Sequence, residues 1–565
     1  MLLLYFLSAF VVLGLPNVAP KHPPPPVVVI NSSSIITGVS IVDSYNNRLA
    51  AFRGIKYAEA VRWGEPKLVE PVSINATTFG NICWQFGGDA KGSGGTQDED
   101  CLNLDVYVPR KEVTNDADPL PVVVWLYGGS LIAGSTQSYT HLENIATRLD
   151  VVLVALNYRL GAFGWLCLDS QPTISGNQGL LDQQAGLKWV QRFIRPFGGD
   201  PNRVTLLGQS SGGTSIFGLL ASKASEGLFH AAISLSGSPN ITVSHSEASN
   251  RFELALRSTT NCFIDSNNNN YNYNYNNYND DTLRCLRSLS AEDVASILPN
   301  EFDVSPLIPV SRTGQNYPGL PVVDGKVIEN PLISALQNAI VDVPVIFQTM
   351  AAEMDTYFGN ETIYSFSNAE YANFLTNTFE AGGWENPELQ SEKIIHLYHD
   401  ELEESIELAY QVYLADFSLL CGNIALIDTL STSDNFLSKV YMSVGQQGPA
   451  TPMPTIPGKP PCRYPGHNFD YVCAAGAYDM FSTRYGADTY TPEDSDIAFG
   501  EVLIEIWRDL AHGNELPMAP YGTEKAVNLL SAKGNQVVEH FAKEKCEILG
   551  NDPALGLDER FWLTN

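Results

Sequence analysis

Long apolar runs recur along the chain, and each is of the kind that forms a buried strand. They are rich in β-branched residues and span Pro121–Tyr127, Val151–Asn157, Val204–Gly208, Ala231–Ser236, Val343–Thr349 and Lys439–Ser443. Segments with the helical spacing of apolar residues lie between several of them, at His141–Leu149, Gln178–Phe193 and Thr214–Ser222. Strands that are apolar on both faces and alternate with helices are typical of parallel sheets. The pattern predicts an α/β fold with a large, mostly parallel central sheet flanked by helices.

Composition divides the remainder of the chain. The apolar segment 1–19 resembles a secretory signal peptide, and residues 20–29 form a proline-rich spacer. One large domain is expected over 30–550, and short edge strands are expected at Val27–Ile30 and Gly38–Val42. The other predicted parts are an exposed Asn/Tyr-rich insertion at 265–281, a helical cap region at Asn360–Asp434 and a C-terminal tail at 551–565.

The chain is strongly acidic, with 63 acidic and 33 basic residues and a formal net charge of −30. This charge argues against binding to nucleic acid or to anionic membrane surfaces. The N-terminal apolar run is too short to span a bilayer and no later run reaches that length, so no stable membrane insertion is expected. The predicted localisation is secreted, or in the lumen of the secretory pathway. N-glycosylation sequons agree with it and lie at Asn31, Asn75, Asn240 and Asn360.

Nine cysteines are present, and several flank short loops of the kind that disulfides close in an oxidising compartment. These flanking pairs are Cys83 with Cys101, Cys262 with Cys285, and Cys462 with Cys473. Spacing alone does not prove their connectivity. Because the number of cysteines is odd, at least one stays unpaired or bonds to another chain, and Cys167 is the candidate.

The clearest chemical signal is a G-x-S-x-G motif centred on Ser210, which follows the apolar run Val204–Gly208 and precedes a helix-prone segment. A serine between two glycines can occupy a strained turn between strand and helix, where its hydroxyl is exposed near the helix N-terminus. Ser210 is therefore a candidate nucleophile. A G-x-S-x-G motif alone is more often only a glycine-rich turn, so the surrounding motifs decide whether Ser210 is a nucleophile.

Those motifs resemble the type-B carboxylesterases, a family of the α/β-hydrolase fold that includes the cholinesterases. The markers are Glu99–Leu104, Trp125–Gly129, Asn157–Arg159, Gly176–Gln183 and the segment around Ser210. The resemblance implies a carboxylic ester hydrolase that acts on a small ester substrate and needs no cofactor and no metal. It also fits the disulfides Cys83–Cys101 and Cys262–Cys285, adds Cys421–Cys546, and would make Cys462–Cys473 a tether for the histidine loop.

The resemblance also implies an oxyanion hole. In the family its donors are backbone N–H groups, which correspond to those of Gly129, Ser130 and Ser211. Ser130 stands where the family usually has a third glycine, so it keeps the N–H group and adds a side chain to the hole.

In cholinesterases a tryptophan in the first disulfide loop holds the choline cation by a cation–π contact. In this chain Trp84 adjoins the first cysteine of that loop rather than its far end. Its position argues against a dedicated choline esterase.

The acid of the family's catalytic triad is usually a glutamate that follows a buried strand. The run that begins at Val343 aligns with this region without a gap and puts Glu353 at the acid position, although Ala352 and Met354 replace the usual neighbours. A carboxylate that merely starts a helix is the alternative for Glu353, and Asp355 is a neighbouring competitor.

The position of the histidine is open. The order of serine, acid and histidine along this fold leaves the candidates His396, His399, His467, His512 and His540. Most of them lie in or after helical segments, where a solvated face explains a histidine, whereas His467 resembles the family's H-x-x-[DE] loop. A second alignment starts from Trp507, in a segment that resembles the family's C-terminal helix. Counting back from it by the family's usual spacing puts the histidine position near Ala474, which leaves no base.

Two functions follow from these alternatives. The first is a secreted carboxylic ester hydrolase in which Ser210 attacks the ester, His467 transfers the proton and Glu353 orients the imidazole. The second is a catalytically inactive relative that serves as an extracellular adhesion, storage or structural protein. Three departures from the family's pattern favour the inactive relative: Ser130 in the oxyanion turn, the ambiguous histidine, and Gln209 in place of the usual glutamate.

Overall fold

The structure is a computed structural model that describes residues 25–85, 95–109, 118–171, 174–239, 241, 243–260, 262, 280–297, 321–338, 341–356, 363–381 and 384–551. The predicted signal peptide, the sequons at Asn240 and Asn360, and most of the Asn/Tyr-rich insertion and of the C-terminal tail lie outside these residues. The sequon residues Asn31 and Asn75 are described, and both are exposed.

The described residues contain strands that we label β1 to β18. They are β1 Val27–Asn31, β2 Ser34–Thr37, β3 Val39–Val42, β4 Arg48–Lys56, β5 Ala58–Glu59, β6 Lys67–Leu68, β7 Ile74–Asn75, β8 Ile82–Cys83, β9 Gln97–Asp98, β10 Asn103–Val108, β11 Leu120–Leu126, β12 Val152–Leu156, β13 Gly199–Gln209, β14 Ala231–Leu235, β15 Val345–Met350, β16 Val440–Gly445, β17 Ala526–Ser531 and β18 Gly534–Glu539.

Eleven strands form one sheet, in the order β18-β17-β16-β15-β14-β13-β11-β12-β10-β4-β3. The pairs from β12 across to β17 are all parallel, whereas β3, β4 and β10 at one edge and β18 at the other pair antiparallel. The six apolar runs of the sequence are β11 to β16, in the middle of this sheet. The predicted fold class is confirmed, because strands covered on both faces have the continuous apolar pattern that the sequence shows.

Helices connect the strands, and several of them pack against the sheet. Their bounds are Leu142–Leu149, Gly161–Trp165, Gln178–Phe193, Ser211–Leu220, His245–Thr259, Asp280–Ser288, Ala291–Ala295, Leu332–Gln337, Asn368–Ala381, Pro387–Leu397, His399–Glu404, Ile406–Ala415, Cys421–Ser431, Phe469–Ala475, Met480–Tyr485, Asp494–His512 and Lys543–Asn551. The helices Gln178–Phe193 and Asp494–His512 both contact β13, the strand that leads to Ser210. Trp125, Trp189 and Trp507 are fully buried in the core around these elements.

The predicted cap region is helical and has a separate aromatic core. This cluster includes Tyr371, Phe379, Tyr410, Phe417 and Leu549. One continuous helical stretch in the region, residues 406–431, is 26 residues long and apolar enough to cross a membrane, so the expectation that no later segment reaches that length is wrong. Because 67% of its apolar window is buried inside the protein, it is explained as a core helix.

Three disulfides close loops in the structure, at Cys83–Cys101, Cys262–Cys285 and Cys421–Cys546. Cys167 is a buried thiol, in agreement with its choice as the unpaired residue. The expected fourth disulfide is wrong, since Cys462 and Cys473 are both buried thiols. Cys473 is buried in the helix Phe469–Ala475, where its thiol contacts the side chain of Tyr478. The sulfur of Cys462 lies 3.3 Å from the carbonyl oxygen of Tyr464.

Candidate active site

Ser210 lies at the turn between β13 and the helix Ser211–Leu220, with φ 59° and ψ −127°. A non-glycine residue with this backbone conformation is strained, at a cost of about 1–3 kcal/mol, and such strain is concentrated at functional sites. Its N–H group donates to the carbonyl oxygen of Leu235 at 2.7 Å, which ties the turn to the neighbouring strand. The glycines of the motif are required by close packing, because a Cβ on Gly212 would lie 2.1 Å from the carbonyl oxygen of Leu126.

The predicted oxyanion turn follows β11 and lies against Ser210. A Cβ on Gly128 would lie 2.7 Å from the Cβ of Ser210, so the two turns are in direct contact. Gly129 and Ser130 both have positive φ, at 128° and 56°. The N–H group of Leu131 donates to Oγ of Ser211 at 3.0 Å, which joins the glycine turn to the first residue of the helix. The structure therefore places the turn that contains Gly129 and Ser130 against Ser210 and Ser211, and the side chain of Ser130 is exposed.

Glu353 begins a short 3₁₀ turn just beyond β15 and is completely buried. Its Oε1 accepts a hydrogen bond from the N–H group of Met350 at 2.7 Å, and its Oε2 lies 2.6 Å from Nδ1 of His467. A carboxylate can only accept, so Nδ1 carries a proton and Nε2 is left as the acceptor of the neutral ring. Such a pair holds an imidazole in the tautomer that a general base requires.

The backbone also fixes His467 beside Glu353. The N–H group of His467 donates to the carbonyl oxygen of Glu353 at 3.0 Å. Asp355, the competitor for the acid role, has a different contact: its Oδ2 accepts from the N–H groups of Arg463 and Tyr464 at 2.6 and 2.7 Å. Burial raises the pKa of Asp355. Asp355 therefore holds the loop that carries the histidine, and Glu353 holds the ring.

The other histidine candidates lie elsewhere. His396 and His399 are in the cap helices, and His512 ends the helix Asp494–His512 with Nε2 at 2.9 Å from the carbonyl oxygen of Leu149. His540 follows β18 rather than a helix, which corrects the expectation for that residue. Ala474, the position in the competing alignment, is buried in the helix Phe469–Ala475, and its carbonyl oxygen accepts from the guanidinium of Arg148. The histidine beside Glu353 is thus His467.

A second group contacts His467, and sequence reasoning missed it. Nε2 of Gln209 lies 3.2 Å from Nε2 of His467, and Oε1 of Gln209 accepts from the hydroxyl of Tyr139 at 2.7 Å. The Tyr139 hydroxyl oxygen in turn accepts from the N–H group of Gly128 at 3.2 Å. Gln209 and His467 are 258 residues apart, so only the departure from the family's glutamate at position 209 pointed to this residue.

A buried carboxyl group lies next to the pair. Asp470 is completely buried, accepts from Nε2 of Gln348 at 2.7 Å, and lies in the first turn of the helix that follows His467. Burial, with the negative charge of Glu353 nearby, raises the pKa of Asp470 to about 6. The carboxyl group in contact with His467 is therefore that of Glu353, whereas Asp470 contacts Gln348.

The fold delivers all these groups to one edge of the sheet. Ser210, the glycine turn and Glu353 follow the carboxyl ends of β13, β11 and β15, which are parallel strands. The arrangement of a strained serine, a glycine turn and a buried histidine–carboxylate pair suits acyl transfer. In class, this architecture is that of the α/β-hydrolases.

Comparison with known proteins narrows the class to a family. A sequence model of the carboxylesterase family matches residues 24–548, and the chain belongs to that family. It is 34% identical over 299 residues to an acetylcholinesterase of Bungarus fasciatus, a match that covers 50% of this chain and 45% of that protein. It is 42% identical over 216 residues to a para-nitrobenzyl esterase of Bacillus subtilis (strain 168), which covers 36% of this chain and 43% of the relative. The matches thus span less than half the length of either relative.

Proposed function

We propose that this protein is a secreted carboxylic ester hydrolase with Ser210, His467 and Glu353 as its catalytic triad. The observation that carries the proposal is the contact of 2.6 Å between Glu353 and His467 beside the turn that holds Ser210. Membership of the carboxylesterase family supports ester hydrolysis, and both relatives bear the names of esterases. The disulfides and the exposed sequon residues Asn31 and Asn75 support passage through a secretory compartment.

In the proposed reaction, Oγ of Ser210 attacks the ester carbonyl and its proton passes to Nε2 of His467. Glu353 stabilises the imidazolium, and the N–H groups of Gly129, Ser130 and Ser211 bind the oxyanion. The imidazolium returns the proton to the departing alcohol. Water then repeats the sequence on the acyl-enzyme and releases the acid.

The proposal is tested with a tagged fluorophosphonate and a small p-nitrophenyl ester. The wild-type protein and a Ser222→Ala control should both be labelled, while Ser210→Ala should not. Ser222 is a suitable control because it is a buried serine whose hydroxyl contacts Gln184. Hydrolysis should fall by about three orders of magnitude or more in His467→Ala. Equal labelling of Ser210→Ala, or ester turnover by the wild type no faster than in buffer, would reject the proposal; the second result would favour the inactive alternative.

A further inference from the structure

The side-chain amide of Gln209 contacts Nε2 of His467, the atom that accepts the serine proton in the proposed reaction. Because Nδ1 of His467 donates to Glu353, the neutral ring has a single acceptor lone pair, at Nε2. The amide nitrogen of Gln209 lies 3.2 Å from that atom and can only donate to it. Any donation from the Ser210 hydroxyl must therefore share this lone pair or displace the amide.

The orientation of the amide is fixed by its other neighbour. Tyr139 is buried, and burial raises the pKa of its hydroxyl to about 12, so the hydroxyl stays protonated at neutral pH. Its oxygen already accepts from Gly128, and its proton is donated to Oε1 of Gln209. Rotating the amide by half a turn would aim its NH₂ group at the Tyr139 oxygen and leave the tyrosine proton without this acceptor. Tyr139 thus holds the donor end of Gln209 towards His467.

This orientation suits only one protonation state of His467. When the ring takes the serine proton, Nε2 becomes a donor and faces the NH₂ group of Gln209, which is a donor as well. The amide must then turn, and Tyr139 must redirect its hydroxyl. Both effects, competition for the resting lone pair and opposition to the imidazolium, act in the same direction and slow the attack by Ser210.

We propose that the Tyr139–Gln209 pair is a latch that caps the catalytic base of the resting site and slows the acylation of Ser210. This inference rests on the proposed function, since it concerns the same histidine. Gln209 is a positioning residue here, because it acts on the reaction through His467. The latch opens when a bound ester displaces the amide from Nε2.

The first test is the rate of labelling by an uncharged fluorophosphonate. Gln209→Met keeps the length of the side chain and removes the donor, so labelling should become about 2- to 10-fold faster, the range of one hydrogen bond. Gln184→Met is the matched control, because Gln184 is an equally buried amide that binds Ser222 and Ser225, and its rate should equal that of the wild type. Labelling of Gln209→Met that is equal to or slower than wild type would overturn the latch.

The second test uses Gln209→Glu, which keeps an acceptor for Tyr139 and replaces the donor by a carboxylate oxygen. On the alkaline plateau its labelling should also be faster than that of the wild type. The acidic limb of the rate profile should move to higher pH, because the carboxylate attracts the imidazolium. The carboxyl groups of Glu353 and Asp470, which face His467, are unchanged by this substitution. A superimposable profile would contradict the latch.

A third measurement does not depend on activity. In protein labelled with ¹⁵N-histidine, the His467 signals are assigned with His467→Gln, and the Nε2 resonance reports whether its lone pair accepts a hydrogen bond. This resonance should shift in Gln209→Met towards that of an unbonded imidazole nitrogen; an unchanged resonance would overturn the latch. If no variant is labelled although the resonance shifts, the proposed function fails while the amide contact stands. If labelling occurs without dependence on residue 209, the latch fails and the proposed function stands.

Discussion

The pair of Glu353 and His467 gives the sharpest prediction, for the substitution Glu353→Gln. The side chain keeps its shape, and the backbone bond from His467 to the carbonyl oxygen of Glu353 is unaffected. The amide has one oxygen for two donors, the N–H group of Met350 and Nδ1 of His467. If the oxygen stays with Met350, the NH₂ group faces Nδ1 and drives the ring proton to Nε2. His467 is then held in the tautomer that cannot accept the serine proton.

The magnitude follows from that tautomer. Loss of the correct imidazole tautomer in a serine triad lowers kcat by about 10⁴-fold, which corresponds to about 5 kcal/mol of transition-state free energy. The alternative orientation, with the amide oxygen on Nδ1, sets the NH₂ group against the buried N–H of Met350. A donor left unpaired in a buried site costs about 1–3 kcal/mol, so this orientation of the amide is disfavoured by about that amount. We therefore expect kcat to fall by about 10²- to 10⁴-fold, with the lower figure set by the cost of the alternative orientation and the upper figure by the wrong tautomer.

The assay is the hydrolysis of a p-nitrophenyl ester, with folding checked by circular dichroism. Glu253→Gln is the matched control, because Glu253 is also buried but lies in the helix His245–Thr259, where it pairs with Arg257. This control should keep the wild-type rate. A loss of less than tenfold in folded Glu353→Gln would refute the role of Glu353.

Three further predictions concern stability and are checked by urea unfolding. Arg159→Met should cost about 3–5 kcal/mol, because it strands the fully buried carboxylate of Asp182, which Arg159 binds at 2.7 and 2.8 Å; a cost under 1 kcal/mol would contradict this. Gly212→Ala should lower the free energy of unfolding by about 3 kcal/mol and abolish labelling of Ser210, because the added Cβ would lie 2.1 Å from the carbonyl oxygen of Leu126. Asp470→Asn should gain stability relative to wild type as the pH rises from 4 to 7. The folded protein holds the Asp470 proton up to a pKa of about 6, against 3.8 for the unfolded chain, so the wild type loses stability over that window, by up to about 3 kcal/mol, and the variant does not.

The centre of the sheet and its edge strand β3, expected at Gly38–Val42, could be predicted from the sequence, whereas β4, β10 and β18 could not. Strands β11 to β16 are covered on both faces, and that burial writes a continuous apolar run into the chain. Strand β18 contains no buried residue, so its pattern resembles that of a loop. The Ser210 turn was predictable for a different reason, because close packing admits only glycine at Gly212.

The histidine and its contacts could not be fixed from the sequence. The proline-rich loop before His467 has no periodic pattern, so a count of residues from Trp507 gave Ala474 as a competing position for the histidine. One backbone hydrogen bond and one side-chain contact from His467 to Glu353 set the position instead. The same limit explains the wrong Cys462–Cys473 disulfide. Their short separation in the sequence was compatible with a bridge, but Cys473 is buried within the helix Phe469–Ala475 and the sulfur of Cys462 contacts the carbonyl oxygen of Tyr464.

The separate aromatic cluster of the cap has a consequence for how this protein can vary. Its rings, among them Tyr371, Phe379 and Tyr410, bury one another rather than the sheet, and the bond between Cys421 and Cys546 anchors the final helix to them. The cluster also reaches the candidate site, because Met354 packs against it and the helix Ile406–Ala415 contacts the turn that begins at Glu353. Substitutions that repack these rings are therefore expected to shift the acid beside His467 as well as the cap.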